Sequence, residues 1–172
     1  MKSLKFKHGI LLLDEISLQE AISVCSSTLT YKGLTDFGDM RNVTTDKAKH
    51  GLDLMFKAIA DKYTQPIAVF ASKGSVRGTE LAKIVIKAII LLEKAGALVH
   101  AVISDGAQTN RKMLVDLGIN GKKGQCQSAF TYPCDKSRKV FVFSDTLHLI
   151  KNIRNRLYNN QELLINIVFQ FL

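Results

Sequence analysis

Three acids in this chain each follow an apolar run: Asp14 after "GILLL", Asp105 after "LVHAVIS" and Asp145 after "KVFVFS". Such runs predict buried strands, and open α/β sheets hold their sites at the carboxyl ends of strands. If the strands of Asp14 and Asp105 lie side by side, the two carboxylates converge, and they repel unless a cation sits between them. Hard oxygen ligands suit Mg²⁺ or Mn²⁺. Two such ions about 4 Å apart would clamp the attacking and leaving oxygens of a phosphoryl transfer. A plainer role stands beside this one, because Asp followed by Gly, as in "SDGAQTN", bonds nearby backbone and shapes a turn. From the residues alone, both readings of Asp105 stay open.

The chain has 172 residues and an excess of 24 basic over 15 acidic groups. That length suits one domain with a real core, and a charge of +9 favours a polyanionic partner such as nucleic acid. Cys25, Cys126 and Cys134 are odd in number and lack a zinc-ligand spacing, which fits a reduced intracellular chain. After Lys2, Lys5 and Lys7, the first apolar run is cut short by Asp14 and Glu15 and is too short for a signal-peptide core. The terminal "LLINIVFQFL" is about half a membrane span and reads as an element missing its partner, in the front part of something larger.

The elements needed to position these acids follow from periodicity. Strands are expected at 8–16, 65–72, 98–105 and 138–145, and a hairpin at 26–39. Pro66 is expected at the first position of its strand, where Pro is tolerated. Residues 44–65 are ambiguous: their spacing fits a helix, but Gly51 interrupts it and "LDLMFKAI" fits a strand. Helices are expected at 78–97, buried on most sides with Thr79 near its start and Gly96 as its stop, at 109–119, capped by Thr109 and closed near Gly118, and at 146–160. A polar loop fills 120–128. The order predicts a mixed sheet, antiparallel early and parallel late, flanked by helices.

The segments "LLLDEI", "KGLTDFGD", "QPIAVFASKG", "VISDGAQTNRKMLVDLGI" and "KVFVFSDTLHLIKNIRNRLYN" resemble, in this order, the RNase H-like domain of P-element-type DNA transposases, which include THAP-domain relatives. The resemblance covers most of residues 9–158 and leaves 159–172 as an atypical or truncated tail. It implies an RNase H-like fold, nuclear localisation, DNA (transposon ends) as partner, and Mg²⁺ or Mn²⁺ held by two Asp and one Glu for strand cleavage and joining. Asp14 matches the first acid and Asp105 the second. The family's Glu lies beyond an inserted GTP-binding domain, downstream of the "HLxKxxRN" helix; neither is in this sequence. Nor are the zinc-coordinating THAP module and the segment through which self-association is expected. Leu147 replaces the usual Pro of "SDTPH", a mild change at a helix start. The resemblance thus implies a partial catalytic domain. A catalytically silent nucleic-acid-binding remnant is the alternative, and a small-molecule α/β enzyme using Asp105 as acid or base is a third.

Other residues carry weaker expectations. Glu15 alternates with Asp14 and points to the opposite face, solvated or ion-paired. Asp145 and His148 are expected as a helix cap with its neighbour rather than as ligands. Lys151, Arg154 and Arg156 on the last helix, and Arg111 with Lys112 beyond Asp105, are candidates for DNA-backbone contact, against a solvated basic face. Lys73 and Arg77 flank "SKGSVRG" without Walker spacing, which rejects a P-loop. His8, His50 and His100 read as isolated.

Overall fold

The computed structural model describes residues 7–28, 30–38, 45–122 and 124–160. The "LLINIVFQFL" tail, the N-terminal lysines Lys2 and Lys5, and Asp39 of the expected hairpin lie outside these residues. Eleven elements follow in order: β1 (Lys7–Ser17), β2 (Ser23–Cys25), β3 (Thr30–Lys32), β4 (His50–Ala58), β5 (Thr64–Ser72), α1 (Gly78–Lys94), β6 (Ala97–Ser104), α2 (Gln108–Asp116), β7 (Ala129–Thr131), β8 (Lys139–Ser144) and α3 (Thr146–Asn160). Six strands form one sheet in the order β5-β4-β1-β6-β8-β7, while β2 and β3 pair separately. β4 runs antiparallel to β1 and β5, whereas β1, β6 and β8 are mutually parallel. This is the mixed sheet that the element order predicts.

Local differences from the sequence reading have physical causes. Within the ambiguous 44–65 segment, His50–Ala58 is the strand β4, because it lies between β5 and β1 and alternates: Leu52, Leu54, Phe56 and Ala58 are buried while Asp53 and Met55 are not. Pro66 is the third residue of β5, not the first; it is tolerated because β5 is the sheet edge. β7 emerges from the end of the 120–128 loop and was missed, since three residues carry no periodic signal. The expected hairpin is shifted earlier, and its return segment is bound to the sheet edge through Asp36 and Ala71 (N···O 2.8 and 2.9 Å). Gly96 and Gly118 do close α1 and α2 at φ 85° and 84°. The first residues do not follow the expected caps: Arg77 and Ala107 hold the N-cap positions, with no side-chain cap bond.

The core lies on one face of the sheet. Leu11, Leu13, Leu54, Phe56, Val99 and Val102 meet Leu81, Ile84, Val85 and Ile89 of α1 and Met113 of α2. α1 is therefore buried along one side rather than on most: Leu91 is 54% exposed. The opposite face is open, with Val69, Phe141 and Phe143 exposed. All side chains of α3 from Thr146 to Asn159 are exposed as well, including the apolar row Ile150, Ile153 and Leu157.

The histidines are not isolated. The β1–β6 register shifts between Gly9 and Ile10, leaving His100 without a ladder partner, and such a bulge re-aims a side chain. The His100 ring stacks on His8 at 4.9 Å, with Nε2 2.7 Å from His8 Nδ1. Burial above all, and then the charges of His8 and Arg138, hold the His100 imidazole below its usual range. His50 faces Glu15 at 3.2 Å.

α1 and α2 meet through Gly78. A Cβ there would stand 2.6 Å from Lys112 Cβ and 2.7 Å from the Thr109 carbonyl oxygen, so any side chain forces the helices apart. Gly78→Ala is expected to lower stability by about 1–3 kcal/mol, the usual cost of overpacking, measured by urea unfolding. An unchanged midpoint would show that the helix contact yields freely.

Candidate active site at the sheet edge

Register places the acids. Leu12 pairs with Ile103 in the parallel β1–β6 ladder, so two residues on Asp14 stands level with Asp105. Asp14 is directly opposite Asp53 of β4. Ser104 pairs with Ser144, which sets Asp145 level with Asp105. Four aspartates thus form a row across four neighbouring strands, each pair about 5 Å apart in backbone spacing. Side chains alternate along each strand, and Leu11, Leu13, Leu54 and Val102 face the core. Asp14, Asp53 and Asp105 therefore belong to the open face.

The partners of these acids differ. Asp14 is exposed, and its Oδ1 accepts the Glu15 N–H at 2.9 Å. Asp105 Oδ1 accepts the Ala107 N–H at 2.9 Å and Asn110 Nδ2 at 2.6 Å. The turn-shaping role is thus filled by one oxygen, and no hydrogen bond from the described residues reaches Oδ2. Asp53 was missed by sequence reasoning because it sits in the ambiguous segment; the alternation of "LDLMF" was the available signal. Its Oδ1 is buried without a hydrogen-bond partner. Glu15 points to the other face, as alternation requires. Its 3.2 Å contact with His50 is an ion-pair approach without hydrogen-bond geometry, since Oε1 is otherwise unsatisfied.

Asp145 caps α3. Its Oδ1 accepts the Leu147 N–H and its Oδ2 meets His148 Nδ1, both at 2.9 Å. Leu147 supplies an N–H that Pro lacks, so the residue strengthens this cap. The basic candidates are dispersed. Arg154 donates to its neighbour Asn155; Lys151 and Arg156 are exposed on α3, and Lys112 pairs with Asp116. Arg111 is closer to the acids. A Cβ added at Gly106 would lie 3.8 Å from Arg111 Nη2 and 3.7 Å from Asn152 Nδ2, so both side chains flank the residue after Asp105.

A divalent ion fits the donor type here: hard carboxylate oxygens, one without a partner on Asp105 and one buried and unsatisfied on Asp53. Among the described residues, however, no three His, Cys, Asp or Glu side chains converge as a metal-holding group. Nor, among them, is any helix long and apolar enough to cross a membrane.

This sheet and its helices match known proteins. The profile of a family described as TNP-like, RNase H N-terminal domain, matches residues 1–118. The chain belongs to that family. This TNP-like domain is 44% identical over 75 residues (44% of its length) to the Transposable element P transposase of Drosophila melanogaster, of which it covers 9%. It is 26% identical over 161 residues (92% of its length) to the human DNA transposase THAP9, covering 18% of that protein. Its fold superimposes on a chain of the Drosophila P element transposase strand transfer complex with a TM-score of 0.69 and 25% identity, over 91% of this chain and 30% of that one. The fold is RNase H-like and the relationship is to transposases. The domain spans less than a third of each of these relatives.

Two outcomes test the acid row. Asp14 and Asp53 are like charges placed directly opposite, a pairing that destabilises antiparallel strands by about 0.2–1 kcal/mol. Asp53→Asn is expected to raise the thermal midpoint in metal-free buffer, and a lowered midpoint would deny the repulsion. The hydrogen bond from His148, followed by that from Leu147, holds the Asp145 carboxyl below its usual range. A depressed folded value gives stability that is present above the unfolded value and lost as pH falls through the folded one. His148→Ala should move the Asp145 titration upward, read by carboxyl-carbon NMR.

Proposed function

We propose that this domain contributes two carboxylates, Asp14 and Asp105, to a divalent-metal centre for phosphoryl transfer on DNA, in a nuclear transposase-type protein. The observation that carries this reading is their level placement on adjacent parallel strands. Rigid strands suit such ligands because metal geometry tolerates little displacement. The relationship to transposases supports DNA as the substrate.

Asp105 would hold an ion through Oδ2 while Oδ1 stays fixed by Ala107 and Asn110, and Asp14 would hold it from the neighbouring strand. Mg²⁺ or Mn²⁺ bound there supplies charge neutralisation and Lewis acidity for an attacking and a leaving oxygen. Arg111 and Asn152, beside Gly106, would contact a phosphate and align the strand without reading its sequence. Lys151, Arg154 and Arg156 would extend that backbone contact along α3.

A second reading is a silent nucleic-acid-binding remnant, favoured by the lack of a three-ligand group among the described residues. Mn²⁺ calorimetry separates the two. Binding by the parent, abolished in both Asp14→Asn and Asp105→Asn, is expected from one shared site. No binding by the folded parent, together with salt-dependent DNA binding, would give the remnant reading the lead.

A further inference from the structure

Beside the acid row, at the same end of the sheet, the structure forms a cleft of about 830 Å³ between the β3 exit and the loop joining β5 to α1. β5 runs parallel to β1, because each is antiparallel to β4. The end of β5 is therefore on the same sheet edge as Asp14 and Asp105. Val69 is level with Asp53, and the cleft begins two residues later at Ala71. Two strand spacings, about 10 Å, separate β5 from β1.

The chemistry of the walls is uneven. Phe37, which lines the cleft, stacks on Phe70 (6.1 Å). The two carboxylates of the cleft are already engaged: Asp36 Oδ1 accepts the Gly38 N–H at 2.7 Å, and Asp46 holds Lys73 Nζ at 3.1 Å. Lys32 and Arg77 also line the cleft and have no acceptor among the described residues; together with Lys73 they set three cations against the carboxylates of Asp36 and Asp46, a net charge of +1. At its rim, Tyr31 is 68% exposed, a large aromatic surface with no packing role.

Cations for phosphates beside an exposed ring for a base are the parts of a single-strand nucleic-acid site. A closed duplex is too wide for a cleft of this volume, and a peptide would gain little from two unpaired cations. We propose that this cleft binds a single-stranded DNA segment adjoining the scissile phosphate, with Tyr31 stacking on a base and Lys32 and Arg77 holding the backbone. The placement rests on the phosphoryl-transfer reading; the binding does not. "SKGSVRG" is then a backbone-phosphate loop, although it is no P-loop.

The test is fluorescence anisotropy with a labelled single-stranded oligodeoxynucleotide of about 12 nucleotides, within the usual site sizes, in EDTA so that the acid row makes no contribution. The parent should bind single strand more tightly than the same sequence as duplex. Lys32→Gln with Arg77→Gln should weaken binding and reduce the salt slope by about 1.4, from two phosphate contacts. Tyr31→Ala should weaken it about tenfold and Tyr31→Phe should not, since the ring and not the hydroxyl stacks. Lys139→Gln, at the start of β8 and so at the opposite end of the strands from the cleft, controls for loss of charge alone and should bind as the parent does. Independently of any variant, a strand bearing 5-iododeoxyuridine should photocrosslink to Tyr31. Equal binding by all variants, duplex preferred to single strand, no binding by the parent, or crosslinks confined to α3 would each overturn the cleft assignment. None of these results touches Mn²⁺ calorimetry on the acids, so the two readings fail separately.

Discussion

Parallel pairing of β1 with β6 is the constraint on which the remaining geometry depends. Strands adjacent in the sheet are here about ninety residues apart in sequence, and parallel neighbours need a crossover to bring them together. α1 provides it, running from the end of β5 back to the start of β6. Its apolar side then covers the β1, β4 and β6 residues that face it. A one-residue slip in this ladder would carry every β6 side chain to the other face, separating Asp105 from Asp14 and burying it against α1. The register is held because Val99 and Val102 are fully buried, so a slip would expose them.

The same pairing sets charges against stability. Asp53, Asp14, Asp105 and Asp145 stand across four strands, and each finds a different local solution. Asp145 is hydrogen-bonded by His148 and the α3 backbone; Asp105 takes two donors on one oxygen; Asp14 is exposed and takes one backbone donor, the Glu15 N–H. Asp53 has one oxygen buried and unsatisfied, a state that costs free energy unless a partner arrives.

The two faces of the sheet are unequal for a simple reason. α1 and α2 both pack on the side of the sheet to which Leu11, Leu54 and Val102 belong. The other face carries Val69, Phe141 and Phe143 in the open, beside the aspartates. α3 leaves the sheet with its apolar row exposed among the described residues, starting from the Asp145 cap. The cleft lies at the β5 end of the acid row and Arg111 and Asn152 lie beside Asp105 within it, at the end of the sheet where β5, β1 and β6 finish.

Much was fixed by local sequence: the strands at β1, β5, β6 and β8, the helices α1 and α3, and Asp14 and Asp105 as acids that follow apolar runs. These features depend on periodicity over consecutive residues, which a sequence displays directly. The strand character of β4, the bulge that turns His100 onto His8, the shift of Pro66 to an edge and the level placement of Asp53 with Asp14 were decided only by tertiary structure. Each arises from a neighbour distant in sequence: β4 is a strand because β1 and β5 flank it, and Asp53 joins the row of acids because Asp14 stands opposite it. The cleft at Tyr31, Lys32 and Arg77 is of the same kind, since forty-five positions separate Lys32 from Arg77 until the Asp36–Ala71 bonds bring their segments together. Residue type and spacing announced carboxylate chemistry; which carboxylates face one another, and on which side of the sheet, is a property of strand register.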